Sequence, residues 1–510
     1  DLDEEIYVYV PDGYEPTDER PDGWSEEKRK FHHRLQPGAV ARCNVPLYGL
    51  PQSPRCFWKK LSSHLESIGF TASVLDPCLM YRITDEYYTA LALVVDDVVY
   101  ATNEPPATRS LPLSDGNGVQ DEGPGRSGVY CLGIKVTRDR EKRMMELSQE
   151  NYLHRVLRTF NMETEHLRPV AAPMAPGPLF SRRDAVKYEN GAKPPWPYRS
   201  MLGSVMYACI TRLDIQYAIG VLAKFCNWPD VTAWRAVRHV LRYLRATSKK
   251  TLKIGGMNVI LYAMSDADWC GDPDEYRSTS GIALFLGSGG ALYYASKLQR
   301  ATALSTCESE FRASANAALG LELTDEENER LKELNKRQDG YSNALAACQA
   351  SCSLLSLRTM LEELGFPQPP TLLFTDSESN FKSCINPQTR KLRHVHIRYH
   401  KIRQLVDDGT IVMATLSTKD MLADLLTKKF NAPEHKRLSD MCMGHAEKTG
   451  LPAALTQLLE QKAEIPTSGG LQDGGTGACR CHRCGVILPT SNGSTPSAKS
   501  GNAAVRTTRA

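Results

Sequence analysis

Long hydrophobic runs, a leader segment and a disulfide pattern are all missing from this sequence of 510 residues. The longest apolar run, over residues 90–95, is far shorter than the roughly 20 residues that a membrane-spanning helix needs. No signal peptide opens the chain, and its 15 cysteines follow no framework spacing, which favours a reducing compartment over secretion. We therefore expect no membrane partner and a location in the cytoplasm or the nucleus.

A strong net charge is also lacking. The formal charge is only +3, so any affinity for nucleic acid must come from local basic faces and not from the field of the whole chain. The apolar and charged fractions, 41% and 24%, are typical of a soluble globular protein, and the length allows two to four domains. Because the first residue is Asp1 and not methionine, we expect a fragment of a longer protein.

Two acidic residues follow short segments with strand character. Over residues 258–263 the side chains alternate with a period of two, which predicts a half-buried strand. Asp266 is then expected at or just past the end of this strand, with its side chain able to reach water. A second run, Thr371–Thr375, ends in Asp376 in the same manner.

Two further acids lie in segments with helical character. Apolar residues recur at helical spacing over residues 305–319, which include Glu310. Asp424 follows Ser417, whose S-x-x-D start is a helix-capping signal ahead of an apolar run. Two strands and two helices are thus predicted to deliver one carboxylate each.

Clustered carboxylates need a reason, because each raises the pKa of the others. A pair of magnesium ions is such a reason, since hard cations take oxygen ligands. Two ions held roughly 4 Å apart stabilise both the attacking and the leaving oxygen of phosphodiester cleavage. From spacing alone, four ordinary surface acids remain an alternative.

The acids stand within a series of short motifs. In chain order these are Asp266-Ala267-Asp268-Trp269, Arg277-Ser278-Thr279-Ser280-Gly281, Ala295-Ser296-Lys297, Thr306-Cys307-Glu308-Ser309-Glu310-Phe311, Thr375-Asp376-Ser377 and Ala423-Asp424-Leu425-Leu426-Thr427-Lys428. Together they resemble the ribonuclease H domain of copia-type LTR retrotransposons. The resemblance implies that Asp266, Glu310, Asp376 and Asp424 are catalytic and bind Mg²⁺, with Glu308 as the competing choice for the helical acid. It also implies an RNA–DNA hybrid as substrate, recognised by its backbone shape and its 2′-hydroxyls.

The first part of the chain resembles the copia reverse transcriptase. Two short apolar strands surround Asp96 and Asp97, as in the polymerase hairpin whose aspartates bind magnesium. An ordinary Asp-Asp turn in a hairpin is the alternative. Val94 stands where the family usually has tyrosine, and the partner aspartate of the first motif is absent from the sequence. We therefore expect the polymerase half to be inactive, although Asp96 and Asp97 are its candidate catalytic and metal-binding residues.

The resemblance covers roughly residues 1–430 and implies an α/β chain, α+β overall. It predicts a partial reverse-transcriptase palm over 1–103, a helical thumb or connection region over 129–250, and a ribonuclease H-like mixed sheet flanked by helices over 251–430. Residues 104–128 are expected to be a flexible break, and residues 321–341 a solvated helical insertion. The segment 431–510 has little to bury at its end, so we expect it to be mostly disordered.

Basic residues outside the acidic site predict contacts with nucleic acid. Four arginines fall at steps of three and four and so share one helical face that could run along phosphates. They are Arg235, Arg238, Arg242 and Arg245. A plain solvated face is the alternative. Arg277 and Lys297 are further candidates for phosphate contacts.

Two groups of histidines and cysteines are not predicted to bind zinc. His396 and His400, near His394, have no third ligand at a suitable spacing, and the cluster around Cys479 lacks a distant partner pair. Two other functions stay open: a non-catalytic transposon relic with residual nucleic-acid binding, and an integrase-like carboxylate nuclease that acts on DNA. The partners expected from the resemblance are RNA–DNA hybrid, RNA, DNA and the remainder of a Pol polyprotein, in a cytoplasmic virus-like particle or in the nucleus.

Overall fold

The computed structural model describes residues 5–10, 38–43, 45–47, 49–50, 52–94, 97–104, 128–163, 168–177, 179, 181–184, 195–320, 353–386 and 397–460. Within these ranges no helix is both long enough and apolar enough to cross a membrane. The predicted break at 104–128, the insertion at 321–341, His394, His396 and the cysteines near Cys479 lie wholly or almost wholly outside the described residues, so those interpretations stay predictions.

Helices and strands are mixed along the described chain, which confirms the predicted α/β class. The strands are β1 (Ile6–Tyr9), β2 (Val40–Cys43), β3 (Thr71–Ala72), β4 (Leu79–Ile83), β5 (Tyr88–Val94), β6 (Asp97–Thr102), β7 (Gly128–Cys131), β8 (Ile134–Asp139), β9 (Met144–Ser148), β10 (Leu252–Gly255), β11 (Leu261–Ala267), β12 (Thr279–Leu286), β13 (Ala291–Leu298), β14 (Thr371–Thr375) and β15 (Ile411–Thr415). The α-helices are α1 (Ser53–Ser67), α2 (Glu150–Thr159), α3 (Tyr198–Ala208), α4 (Gln216–Ala223), α5 (Val231–Ala246), α6 (Thr306–Leu319), α7 (Leu354–Glu363), α8 (Glu378–Ile385), α9 (Ile397–Asp407), α10 (Ala432–Cys442) and α11 (Ala453–Glu460). Short 3-10 helices occur at Arg182–Asp184, Leu213–Ile215, Thr418–Asp420 and Leu422–Leu426.

A five-stranded sheet organises the second half of the chain. Its strand order is β13-β12-β11-β14-β15, with β11, β12 and β13 antiparallel and β14 and β15 parallel to β11. Helices α6, α7 and α9 cover one face, where Phe311 and Leu354 pack on Leu261 and Ala263. Helices α10 and α11 and the 3-10 helix Leu422–Leu426 contribute to the core on the other face.

The central strand β11 differs from our prediction because both faces of the sheet are covered. The alternation predicts a half-buried strand over residues 258–263, with Asp266 at or just past its end. The strand instead runs over Leu261–Ala267 with all seven residues buried, and Asp266 lies inside it, only 1% exposed. The alternation of side chains was correct, but an alternating pattern does not reveal whether its second face is also covered.

The elements that carry the other three predicted acids lie close to where the sequence predicts them. Helix α6 begins after Ser305, whose hydroxyl accepts a hydrogen bond from the amide of Glu308. Strand β14 ends at Thr375, directly before Asp376. Ser417 caps a helical turn as its motif indicated, but the segment that follows forms two short 3-10 helices and not one α-helix.

A smaller four-stranded sheet, β3-β4-β5-β6, packs against α1 near the start of the chain. Strands β5 and β6 form the predicted antiparallel hairpin, with Val94 opposite Asp97. Asp96 lies outside the described residues, and of Asp97 only the backbone is described. Whether these two aspartates bind metal therefore stays a prediction.

A helical bundle of α2, α3, α4 and α5 lies between the two sheets in sequence and has its own core. The predicted division at residue 250 separates strands that the structure pairs, because β10 joins β9 in a sheet ordered β10-β9-β8-β7. Two helices follow the predicted boundary at residue 430. Leu438 and Met441 of α10 and Leu455 of α11 are buried in the core of the five-stranded sheet.

Candidate active site

Three carboxylates from distant parts of the sequence meet at one edge of the five-stranded sheet. Each of Asp266, Glu310 and Asp376 offers an oxygen, and these oxygens lie within 4.8 Å of one another. In the described part of the chain this is the single group of three or more Asp, Glu, His or Cys side chains with such spacing. Strands β11 and β14 are parallel neighbours, so the carboxyl ends that carry the two aspartates coincide, and α6 lies across β11.

The carboxylate of Glu310 has little to neutralise it. The side chain is 4% exposed, its Oε2 atom has no hydrogen-bond partner, and the backbone amide of Ala267 is its hydrogen-bond donor. Burial, then the charges of Asp266 and Asp376, raise its pKa far above the ordinary value. Burial, followed by Asp266, also raises the pKa of Asp376. A hard divalent cation would satisfy the orphaned oxygen and remove the repulsion, so this donor set fits Mg²⁺.

Asp424 lies beside this group but outside the 4.8 Å triad. It sits on the buried 3-10 helix Leu422–Leu426, where burial and then Asp266 raise its pKa and Lys428 opposes them. The ammonium group of Lys428 is 2.9 Å from Oδ1 of Asp424 and 3.4 Å from Oδ2 of Asp266. The hydroxyl of Thr427 also donates to Oδ2 of Asp266. A lysine therefore connects the fourth acid to the triad.

Our sequence interpretation gave no role to Thr427 or Lys428. The spacing carried a signal, because Lys428 stands four residues after Asp424, and an acid followed at that distance by a lysine often forms an ion pair. What the spacing could not supply is the reach of the same lysine to Asp266, which comes from the packing of the 3-10 helix on β12 and β11.

Gly281 allows that packing. It lies on β12 directly opposite Asp266. A Cβ atom at this position would come within 2.6 Å of the carbonyl oxygen of Ala423 and 2.7 Å of Cγ2 of Thr427. The glycine of the Arg277-Ser278-Thr279-Ser280-Gly281 motif is thus explained by close approach of the helix that carries Asp424.

The two glutamates of α6 have different surroundings. Glu308 forms an ion pair with Arg312 at 2.5 Å and accepts a hydrogen bond from the amide of Leu304 at 2.9 Å. It therefore holds the start of its own helix, whereas Glu310 faces the aspartates. Asp268, which our sequence interpretation left without a role, accepts from the amide of Thr279, and burial raises its pKa to about 6.

The basic residues that are predicted to contact nucleic acid differ in their exposure and in their partners. On α5, Arg235 and Arg238 are exposed and Arg242 and Arg245 are half-buried, while Val237, Val240, Leu241 and Leu244 are buried as expected. Arg277 is held in an ion pair with Glu275 at 2.5 Å, and Lys297 is half-buried on β13. His400 packs against the Phe311 ring, with the ring centroids 5.6 Å apart. Its Nδ1 atom lies 3.0 Å from Nη1 of Arg403.

Comparison with known proteins shows what this chain is similar to. The family model described as reverse transcriptase (RNA-dependent DNA polymerase) matches residues 1–176. The chain is similar to the retrovirus-related Pol polyprotein from transposon TNT 1-94 of Nicotiana tabacum, with 33% identity over 435 residues, which are 84% of this chain and 28% of that protein. The corresponding protein from transposon RE1 of Arabidopsis thaliana is 32% identical over 404 residues, or 78% of this chain and 24% of that protein. The chain thus spans about a quarter of the length of these relatives.

Proposed function

Since the chain belongs to the family of copia-type retrotransposon Pol polyproteins, we propose that its five-stranded unit is a ribonuclease H. Its substrate would be the RNA strand of an RNA–DNA hybrid, and its cofactor Mg²⁺. The observation that carries the proposal is the meeting of Asp266, Glu310 and Asp376 around an unpartnered, buried carboxylate oxygen. A structural role does not explain this arrangement, because bringing together three mutually repelling acids, two of them buried, opposes folding.

The residues have distinct tasks in this proposal. Asp266, Asp376, Glu310 and Asp424 would hold two magnesium ions, and Glu310 would also orient the attacking water. When bound, the ions supply stabilisation of the negative charge on the attacking and leaving oxygens. Thr427 and Lys428 fix the position of the Asp266 carboxylate through a donated hydrogen bond and an ammonium contact. Asp376 is steadied by a hydrogen bond with Thr418.

The test is cleavage of a labelled RNA–DNA hybrid with and without magnesium. We expect shortened RNA fragments only with the ion, and no cleavage of a DNA duplex of the same sequence. Cleavage of the DNA duplex would favour the integrase-like alternative, and no cleavage of either substrate would favour the non-catalytic relic. The predicted inactivity of the polymerase half stays a prediction, because Asp96 lies outside the described residues.

We expect Gly281→Ala to lower hybrid cleavage by about a hundredfold, the order of loss that a displacement of about 1 Å causes in an active site. The added methyl group must push back the 3-10 helix, and Asp424 and Lys428 move with it. Initial cleavage rates on a labelled hybrid measure the effect.

Gly203→Ala is the matched control for Gly281→Ala. Gly203 lies within α3, and a Cβ atom there would meet nothing within 4 Å, so alanine should retain activity and favour the helix. Equal cleavage by both variants would mean that the close approach at Gly281 has no part in the activity.

Replacing Lys428 by methionine is expected to increase the stabilisation that magnesium provides. Without the ammonium group, Asp266 and Asp424 repel each other in the metal-free protein, and an added ion meets no competing cation. Thermal unfolding in EDTA and in magnesium measures this directly. The melting temperature in EDTA should fall, and its rise on adding magnesium should exceed the rise in the unmodified protein. Lys429→Met serves as the neighbouring control, and the same magnesium effect in all three proteins would refute the competition.

A further inference from the structure

A basic cavity lies beside α5, and none of the triad acids Asp266, Glu310 and Asp376 is among its described lining residues. Its volume is about 550 Å³, and one wall is α5, with Arg235, Arg238 and His239 among its lining residues. Residues 173–176 form the opposite wall, and Lys429 also lines the cavity. A cavity of this volume lies in the range of clefts that bind ligands in proteins.

The wall opposite α5 is fixed by side chains of the helix itself. Nε of Arg242 donates to the carbonyl oxygen of Arg168 at 2.8 Å, and Nε2 of His239 donates to the carbonyl oxygen of Ala172 at 3.1 Å. These two bonds hold residues 168–177 along the helix. Part of the predicted arginine face therefore supports a groove and is not simply solvated.

The charge of the lining has one sign. Five of the described lining residues are basic or histidine, and among those described none is Asp or Glu. They are Arg235, Arg238, His239, Arg242 and Lys429. The guanidinium carbon of Arg238 lies 6.0 Å from the ring centroid of Trp234, which itself stacks on Trp196 at 5.8 Å, so its position is restrained. Such a lining suits a ligand that carries several negative charges.

Phosphates along one strand match the spacing of these cations. Arg235 and Arg242 are seven residues apart on α5, which corresponds to a rise of about 10 Å, enough for about two or three consecutive phosphates. The cavity is too small for both strands of a duplex but can admit a few nucleotides of one strand. The apolar lining, which includes Met174, Pro176 and Leu222, can cover sugar or base surfaces.

The cavity is joined to the acidic site through two consecutive residues. Lys429 lines the cavity, and Lys428 before it contacts Asp266 and Asp424. Helix α4, which contributes Leu222 to the cavity, also contacts the 3-10 helix that carries Asp424. The cavity and the acidic site are therefore neighbours, because consecutive residues of the chain reach one and the other.

We propose that this cavity binds an unpaired nucleic-acid strand by its phosphates, adjacent to the site of cleavage. The inference rests on the proposed function for the class of ligand, but not for the chemistry of cleavage. It assigns the single-stranded part of a partly paired substrate to the groove between α5 and residues 173–176, and the paired part to the acidic site.

The test is fluorescence anisotropy of labelled single-stranded RNA and DNA, and of a blunt RNA–DNA hybrid, with the full chain in EDTA. The double variant Arg235→Gln/Arg238→Gln should bind single strands about tenfold more weakly at low salt. Its plot of log affinity against log salt should be shallower by about 1.4, since each phosphate contact on a single strand contributes about 0.7. Arg242 is left unchanged because it anchors the wall.

The control is Arg155→Gln/Arg158→Gln, which removes the same charge from exposed positions of α2 outside the cavity lining. Equal weakening by both double variants, or no weakening by either, would overturn the proposal. So would weaker binding of the blunt hybrid alone. Because binding is measured without metal, a protein that binds single strands in this way but does not cleave hybrids would retain the cavity assignment and lose the proposed ribonuclease activity.

Discussion

Asp266→Asn is expected to reduce magnesium-dependent cleavage of an RNA–DNA hybrid by about a thousandfold, the upper range for losing one group that stabilises transition-state charge. Asp266 is close to all three of the other acids. One of its oxygens lies within 4.8 Å of oxygens of Glu310 and Asp376, and its charge raises the pKa of Asp424. Asparagine keeps the shape and can still accept the hydrogen bond from Thr427. Single-turnover cleavage of a labelled hybrid measures the loss.

The same variant should not be less stable than the unmodified protein in EDTA. Removing one of the mutually repelling charges relieves the repulsion on Glu310, which is buried and has an unpartnered oxygen. Thermal unfolding in EDTA distinguishes the two effects. A variant that loses activity only because it unfolds would remove the support that this substitution gives to a catalytic role.

The two glutamates of α6 provide a matched pair for the same question. Glu310→Gln should lose cleavage and gain stability in EDTA, because its burial and its neighbours disfavour the charged form. Glu308→Gln should lose stability, since it weakens the pair with Arg312, but should retain cleavage below its melting temperature. The reverse result would make Glu308 the helical acid and reject our assignment.

The positions of the site residues were predicted best where they depend on one helix or one strand alone. The run Thr371–Thr375 and the helical spacing around Glu310 each depend on local periodicity, and both elements formed within one residue of expectation. The depth of Asp266 depends on α6 and on the 3-10 helix Leu422–Leu426, which cover opposite faces of β11. Long-range covering of this kind leaves no periodic pattern in the strand itself, so the half-buried prediction was wrong.

The division of the chain into domains stays a prediction, and contacts between distant segments cross its boundaries. Strand β10 follows the predicted boundary at residue 250 but pairs with β9, about a hundred residues earlier in the chain. Helix α10 follows the predicted boundary at 430, and Leu438 fills the core beside Tyr262 and Phe374. A family resemblance locates motifs, but core contacts between distant segments decide where a folded unit ends.

Asp214→Asn is expected to lower the free energy of unfolding by about 3–5 kcal/mol, the usual cost of leaving one partner of a buried ion pair uncompensated. Arg212 is fully buried and binds Asp214 with two hydrogen bonds, Nε to Oδ1 at 2.9 Å and Nη2 to Oδ2 at 2.8 Å. Tyr243 donates a third bond to Asp214 at 2.6 Å. Asparagine would leave the guanidinium charge buried without a counter-charge. Chemical denaturation at neutral pH measures the loss.

Acid should diminish this difference. Burial alone would raise the pKa of Asp214, but the charge and hydrogen bonds of Arg212 outweigh burial and hold the pKa well below its ordinary value of 3.8. A lowered pKa in the folded state means that the contribution is fully present above that ordinary value and is lost as the pH falls toward the folded-state pKa. The stability gap between the unmodified protein and Asp214→Asn should therefore be constant near neutral pH and should narrow below pH 3.8.

A double variant separates the pair from its surroundings. Arg212→Met/Asp214→Leu removes both charges, so it should lose less than the sum of the two single losses, because no buried charge is left unpaired. The pair also lies where the bundle meets the five-stranded unit, since Tyr243 belongs to α5 and His435 of α10 donates to the carbonyl oxygen of Asp214 at 3.0 Å. Additive losses would show that Arg212 and Asp214 act separately. Coupled losses would mean that Arg212 and Asp214 stabilise the protein as a pair.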